Sequence, residues 1–428
     1  MVFNLVVNII GIVVFIAIAY LFSKQKHAIR WRSVGIMLVL EIILAWFLTG
    51  SQVGVNAVKA AADGFTWLVN VSYDGISFAL ASWVNVKQMD FVTSSLLPIL
   101  LIVPLFDILT YIGVLPWIIK WVGRGLAYIT GQPKFESFFA VEMMFLGNTE
   151  ALAVSQLQLK QMSAQRNLTI AMMSMSCVTA SILGAYIKMM PGQFILTAVP
   201  MNVLNAAIIA AILNPVDVKP EDDTIAKISS SAATDENTDT AESGSEDLAN
   251  QQVQAAEAKP AREPFFSFLG DSILGAGRLI LIIAANVIAF VALAKLIDKL
   301  LGLINTNLSL ENLFGIVMFP FAWLLGFDPH EAFQMASYMG TKLVTNEFVV
   351  MGEVSSKVND FTPHFRAVLT VFLTSFANFS TIGMIIGAFK GIVNREKNDL
   401  ISRNVGYMLI SGILVSLLSA GVVGLFVW

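Results

Sequence analysis

Two carboxylates stand where the surrounding sequence is almost pure hydrocarbon: Glu150 in FLGNTEALAV (145–154) and Glu347 in KLVTNEF (342–348). A charge in a bilayer or a dry core is costly and is tolerated chiefly where it has a function. Each acid follows a hydroxyl and an amide, as GNTE at 147–150 and TNE at 345–347. Counting on from Glu150 by 31 residues reaches Ser181, and the same count from Glu347 reaches Asn378. Both landing points lie in runs of small polar residues and glycine, SMSCVTASILG (174–184) and TSFANFSTIGM (374–384). Such residues weaken a helix, and a broken helix in a membrane needs its freed backbone groups satisfied by a cavity, an ion or a substrate. An isolated small polar residue usually just permits close helix packing. Two acids in repeated contexts argue instead for a polar site.

The elements that must position these groups follow from composition. The chain of 428 residues is 56% hydrophobic and only 13% charged, against about 25% charged in soluble proteins. Twelve of its thirty acidic residues fall between residues 217 and 263, with four basic ones, so the net charge of −4 describes one loop and not a nucleic-acid or acidic-ligand surface. The single cysteine, Cys177, excludes an internal disulfide framework.

A bilayer core about 30 Å thick needs about 20 apolar residues per helix. Runs of that length near 2–22, 34–51, 93–117, 167–190, 193–213, 268–298, 362–393 and 405–427 give eight expected spans. The first apolar run precedes Lys24, Lys26, Arg30 and Arg32, the reverse of a secretory signal, so it reads as a retained span. Basic clusters at 24–32, 120–134, 160–166 and 390–403 fit the cytoplasmic side and place both chain ends outside; Lys295 and Lys299 run against that arrangement. The segment 52–92, with Trp67 and Trp83, reads as an amphipathic helix on the outer face, and Trp117, Trp121 and Arg124 suggest another on the inner face. Residues 215–264 are polar and lack aromatics, the composition of a disordered cytoplasmic loop.

The regions 135–159 and 330–354 each have two apolar arms of about 10 to 12 residues around a polar centre, too short to cross and suited to a re-entrant hairpin. The expected fold is an all-α integral membrane protein with eight transmembrane helices and two re-entrant helical hairpins in an inverted repeat. Its expected parts are scaffold helices (1–134), a first hairpin with two spans (135–213), the acidic loop (214–264), a scaffold span with an outer interfacial helix (265–329), and a second hairpin with two spans (330–428).

GNTE, SILGAY (181–186), KLVTNEF and SFANFSTIG (375–383), in that order and spacing, resemble the concentrative nucleoside transporter family. The resemblance covers most of the chain outside the acidic loop. It implies a nucleoside importer of the cytoplasmic membrane, a homotrimer in which each subunit moves its own substrate by an elevator-like shift. It also implies site roles: Asn148, Thr149 and Glu150 facing the nucleobase, the last through water, and Ile182 packing against the base. Glu347 and Asn378 would hold the ribose hydroxyls, with Phe376 in van der Waals contact and Thr381 near the sugar. An acceptor-only carboxylate suits hydroxyl donors, and an amide completes the pair.

Two positions depart from the family pattern. Asn148 replaces the usual Gln, which enlarges the space at the base edge and favours purine nucleosides. Met143 and Cys177 stand where sodium-coupled members place oxygen-bearing side chains, and sulfur is a poor ligand for a hard cation. Proton coupling is therefore expected, with Glu150 and Glu347 as candidate carriers because desolvation favours a neutral carboxyl; sodium is the alternative, and no organic cofactor is expected.

Two rivals of other classes are a channel and an intramembrane enzyme. A channel would repeat rings or carbonyl filters. An enzyme would need a catalytic set, yet His27, His330 and His364 sit at segment ends, and no HExxH, CxxC, P-loop or GxSxG pattern falls at a useful place. Of the remaining intramembrane charges, Lys342, five residues before Glu347, is open to pairing with an acidic group or to snorkelling to the surface, and snorkelling is the expectation. Asp107 is expected to have a polar packing partner, and Glu136 and Glu142 to lie on the first hairpin's leading arm, where a salt bridge and a part in proton movement are equally supported.

Overall fold

The computed structural model describes residues 2–87, 89–219, 222–223, 263–305 and 308–428, and these residues form helices and connections without a strand. The disordered loop expected at 215–264 thus falls largely outside the described residues. Six helices among the described residues are long and apolar enough to cross a membrane. They are α1 (Val2–Leu21), α2 (Trp31–Gly50), the segment Val92–Tyr111, and the three long helices Gly192–Leu213, Phe265–Ile304 and Val405–Gly424.

Residues 52–92 form a 28-residue helix, α3 (Gln52–Ala79), and a short turn, Ala81–Val84. The run at 93–117 is not one helix. It opens with a π-helical turn, Val92–Leu96, continues as α4 (Ile99–Tyr111), and stops at Gly113, whose φ of 90° suits only glycine well. From there α5 (Val114–Thr130) departs with Trp117 and Trp121 exposed.

Each expected hairpin is a pair of helices, but their arms are unequal. The first comprises α6 (Lys134–Leu146, 13 residues) and α7 (Asn148–Val154, 7 residues). The runs at 167–190 and 362–393 are each two arms around a non-helical centre. The first is α8 (Ala164–Met173), residues 174–179, a 3-10 turn (Ala180–Ile182) and α9 (Leu183–Met189), followed by α10 (Gly192–Leu213). After α11 (Phe265–Ile304) and α12 (Leu310–Trp323) the pattern returns. The second pair is α13 (Pro329–Val344, 16 residues) with α14 (Glu347–Val354, 8 residues). The second broken helix is α15 (Pro363–Leu373), residues 374–378 and α16 (Phe379–Ile392), and α17 (Val405–Gly424) closes the chain.

The core is where these repeats meet. Helices α10 and α17 are buried over most of their length and pack on each other, and each also packs on the leading arm of both broken helices, α8 and α15. Gly412 on α17 is required there: a Cβ would lie 2.8 Å from that of Ala377 in the second break. Helices α1 and α2, expected among the scaffold, pack on α17 and α10. Helix α11 is the opposite case. Only Ser272, Ala276 and Ile280, one stripe at i, i+4, i+8, are buried in its 40 residues. Its stretch 279–294 carries no charge and, outside that stripe, is not buried, which suits an apolar surrounding and not water.

The charges set aside in the sequence find partners. Ser272 Oγ donates to Asp107 Oδ2, joining α11 to α4. Ser155 Oγ donates to Glu142 at 2.7 Å, and Arg166 grips Glu136 through two bonds of 2.8 Å. Lys342 does not snorkel: it is wholly buried, because its ammonium has a carbonyl to reach inside the fold.

Removing one partner of a buried pair leaves an unpaired charge, at a cost of about 3–5 kcal/mol, whereas replacing both by apolar groups is often neutral. Thermal unfolding of detergent-purified protein should therefore show Arg166→Ala well below the wild type and the double change Arg166→Met, Glu136→Met close to it; an unshifted single variant would show that the pair carries no stability.

Candidate functional site

The first tip is set by Gly147, with φ 86° and ψ 179°, a combination open essentially to glycine alone. A Cβ there would lie 2.7 Å from that of Thr179 in the first break, so the tip sits directly against the unwound chain. Asn148 is buried and its Nδ2 donates to the carbonyl of Ser174 at 3.3 Å. The Thr149 side chain lies outside the described residues. Glu150 follows in the first turn of α7 and is exposed, with Oε2 facing Gly147 and the break. Ile182 is buried in the 3-10 turn that restarts the helix, beside Ser181, whose hydroxyl pairs with that of Thr179 at 2.9 Å.

The second tip is built more tightly. Asn346 caps α14 by accepting from the Val349 N–H at 3.1 Å, which fixes Glu347 as the first helical residue. Glu347 is buried, and both of its oxygens are engaged. Tyr186 on α9 donates to Oε1 at 2.9 Å, and Asn378 Nδ2 donates to Oε2 at 3.1 Å. Asn378 is itself the cap of α16, accepting from the Thr381 N–H at 2.9 Å and the Thr381 hydroxyl at 3.1 Å. The same hydroxyl contacts the Phe376 carbonyl, so Phe376, Asn378, Thr381 and Glu347 form one connected set. A carboxylate offers about four lone-pair directions and two are used, which leaves Glu347 able to accept from two further hydroxyls.

Two residues without a predicted role complete the arrangement. Tyr186 carries a hydrogen bond from the first repeat to the acid of the second, and its ring meets Phe348 edge-on at 4.9 Å. It lies within the SILGAY motif, so its position was visible and its partner was not. Lys342 Nζ donates to the Phe372 carbonyl at 2.6 Å and lies 4.4 Å from the Phe372 ring centre. A cation at the free C-terminal carbonyls of α15 is the favourable end of that helix.

The halves are exchanged across the centre: α7 of the first tip packs on α16 of the second broken helix, and α14 of the second tip packs on α9 of the first. Asn148, Ile182, Glu347, Phe376, Asn378 and Thr381 thus all belong to the tips and breaks that this exchange brings together.

Such an exchange, between two hairpin-and-broken-helix units in an all-helical chain bearing lipid-facing spans, defines a multi-pass membrane protein of the transporter class. The chain belongs to the concentrative nucleoside transporter family. A family model described as the C-terminus of Na+ dependent nucleoside transporters matches residues 194–424, the corresponding N-terminus matches 10–83, and a Gate region described by nucleoside recognition matches 92–192. The chain is 43% identical to the purine nucleoside transport protein NupG of Bacillus subtilis, over 98% of this chain and 99% of that one. It is 25% identical to the nucleoside permease NupC of Helicobacter pylori over 100% and 99% of the two chains. The fold matches a solved structure of CNTnw in an inward-facing substrate-bound state with a TM-score of 0.86 at 23% identity, covering 100% of this chain and 98% of that one. These relatives are transporters and not enzymes.

Losing a hydrogen-bond partner that leaves a buried polar group unpaired costs about 1–3 kcal/mol. Glu347→Gln and Asn378→Ala should each weaken nucleoside binding by about 5- to 150-fold on that scale, and Tyr186→Phe, which removes one neutral donor, by less than about tenfold. Calorimetric titration of the purified protein measures all three, and wild-type affinity in Glu347→Gln would remove this set from the site.

Proposed function

We propose that the protein is a secondary active symporter that imports nucleosides across the cytoplasmic membrane, coupled to protons and favouring purine nucleosides. The observation that carries the reading is Glu347, a buried acid held by Tyr186 of one repeat and Asn378 of the other with acceptor capacity to spare. In this reading the ribose hydroxyls donate to Glu347, Asn378 completes the pair, Phe376 and Ile182 give apolar walls, and Thr381 lies near the sugar. Asn148, Thr149 and Glu150 face the base.

The architecture that serves this function is eight spans, six continuous and two broken, with α6–α7 and α13–α14 as re-entrant hairpins entering from opposite sides. Both chain ends lie outside, and three copies assemble, each moving its hairpins and broken helices against a fixed scaffold that includes α4 and α11. The bare, apolar surface of α11 leaves room for neighbouring copies as well as lipid.

Purine preference is supported by the name of the Bacillus relative and by the space that Asn148 leaves at the base edge. Proton coupling is supported by the chemistry around the first break. Met143 and Cys177 are buried and offer sulfur, and the Ser174 carbonyl accepts from an amide N–H in place of a cation. Glu150 and Glu347 remain the acids within the pocket able to carry the proton. A sodium-coupled symporter is the second reading, favoured by the Na+ dependent description of the matching family.

A transport-deficient host expressing the protein separates these. Uptake of labelled inosine and guanosine should exceed that of uridine and cytidine. It should also rise as external pH falls, collapse with a proton uncoupler, and persist without sodium. Uptake that requires sodium at fixed pH and ignores the uncoupler would establish the second reading, and transport of pyrimidine nucleosides alone would reject the purine preference.

A further inference from the structure

Another buried acid lies away from both tips and, unlike Glu136 and Glu142, has one fully buried oxygen without a partner. Glu41, in the middle of α2, has no exposed surface. Its Oε1 accepts from Asn205 Nδ2 of α10 at 2.5 Å, and its Oε2 has no hydrogen-bond partner. Asn205 spends its second amide proton on Ser419 Oγ of α17 at 2.9 Å, and its own Oδ1 has no partner. An unpaired carboxylate oxygen buried at this depth is among the most expensive groups a chain can keep, and in a membrane it marks a pathway for ions or protons.

Among the described residues no charged group forms an ion pair with it. Helices α3, α5, α10 and α17 pack on α2, and α10 carries no titratable residue. The charged groups of α3 (Lys59, Asp63, Asp74) and of α5 (Lys120, Arg124) are exposed, as is Arg32 on α2 itself. Tyr73 and Tyr407 are half-buried and Tyr128 is exposed, and none of these groups pairs with Glu41.

The amide of Asn205 suits both charge states of the acid. As placed, two N–H donors serve an ionised Glu41 and a hydroxyl. Turned by half a rotation, Oδ1 accepts from a protonated Glu41 and from Ser419. The contact leads onward to the second break. Ser416, one turn before Ser419 on α17, pairs with Ser375 at 2.8 Å, and Asn202, one turn before Asn205 on α10, donates to the Thr374 carbonyl. Beyond lie Phe376, Thr381 and Asn378, already linked to Glu347.

We propose that Glu41 is a proton-binding site outside the substrate pocket, and that Asn205, Ser419 and Ser416 connect its charge state to the unwound segment that holds Asn378. The proton adds to a carboxylate oxygen on one side of the cycle and leaves from it on the other. As the coupling site, Glu41 rests on the proton-coupled reading above; as a proton-binding group it stands apart from it.

Full-length protein in liposomes tests both. Infrared difference spectra on acidification should show a carboxyl band in the wild type that Glu41→Gln lacks. That variant should retain nucleoside counterflow and lose accumulation driven by a proton gradient. An unchanged band, or wild-type accumulation in Glu41→Gln, overturns the proposal. If the wild type accumulates nucleoside under a sodium gradient alone, the coupling reading fails, and the band still decides whether Glu41 binds a proton. Asn205→Leu, which keeps the acid and the packing volume, should shift the pH midpoint of the band even if Glu41→Gln does not fold; an unshifted midpoint removes Asn205 from the connection.

Discussion

Every backbone donor and acceptor buried in a membrane protein must find a partner inside the protein, and this chain interrupts two of its buried helices. The carbonyls freed by the interruptions are met one by one. Asn148 serves Ser174, Ser411 serves Met172 at 3.3 Å, Lys342 serves Phe372, and Asn202 serves Thr374. None of these donors lies on the helix it satisfies. The breaks therefore depend on the tips and the two central helices that surround them, so the candidate site and the packed core are one structure.

The two breaks are satisfied differently, and the difference has a physical consequence. Around the first, partners are amides and hydroxyls, and sulfur from Met143 and Cys177 fills the remaining space. Around the second stands the ammonium group of Lys342, bonded to the Phe372 carbonyl at the end of α15. The second unit is consequently the more tightly specified: each residue from Phe376 to Thr381 that bears a role is held by a hydrogen bond to another. Glu150, by contrast, lies in the first turn of α7 with Oε2 facing Gly147 and the first break.

The spans α1, α2, α10 and α17 were legible because hydropathy is a property of composition, which local geometry hardly alters. The break within 93–117 was hidden for the same reason, since Pro98 and Gly113 interrupt a helix without making the run less apolar. Hairpin arms were expected to match in length, but Gly147 and Asn346 place the tips by backbone angle and capping, not by the midpoint of the apolar run. The acids stood out through their spacing, and the link from Asn378 to Glu347 follows the repeat that spacing revealed. Lys342 and Tyr186 were legible as residues but not as interactions, and Glu41, an acid inside the apolar run 34–51, was passed over altogether. Their partners lie 30, 161 and 164 positions away, and a sequence records no direction for a side chain.

Because each tip packs on the broken helix of the other unit, a ligand touching both tips bears on both units at once. A ligand shifts a conformational equilibrium only by the difference between its interactions in the two states. Here Glu347 is bound by Tyr186 and Asn378 without any ligand, so separating α14 from α9 would cost those bonds, and a substrate that engages the same carboxylate changes that cost. The exchange of partners between repeats thus ties any ligand held at the tips to the relative position of the two units, which is what alternating access requires.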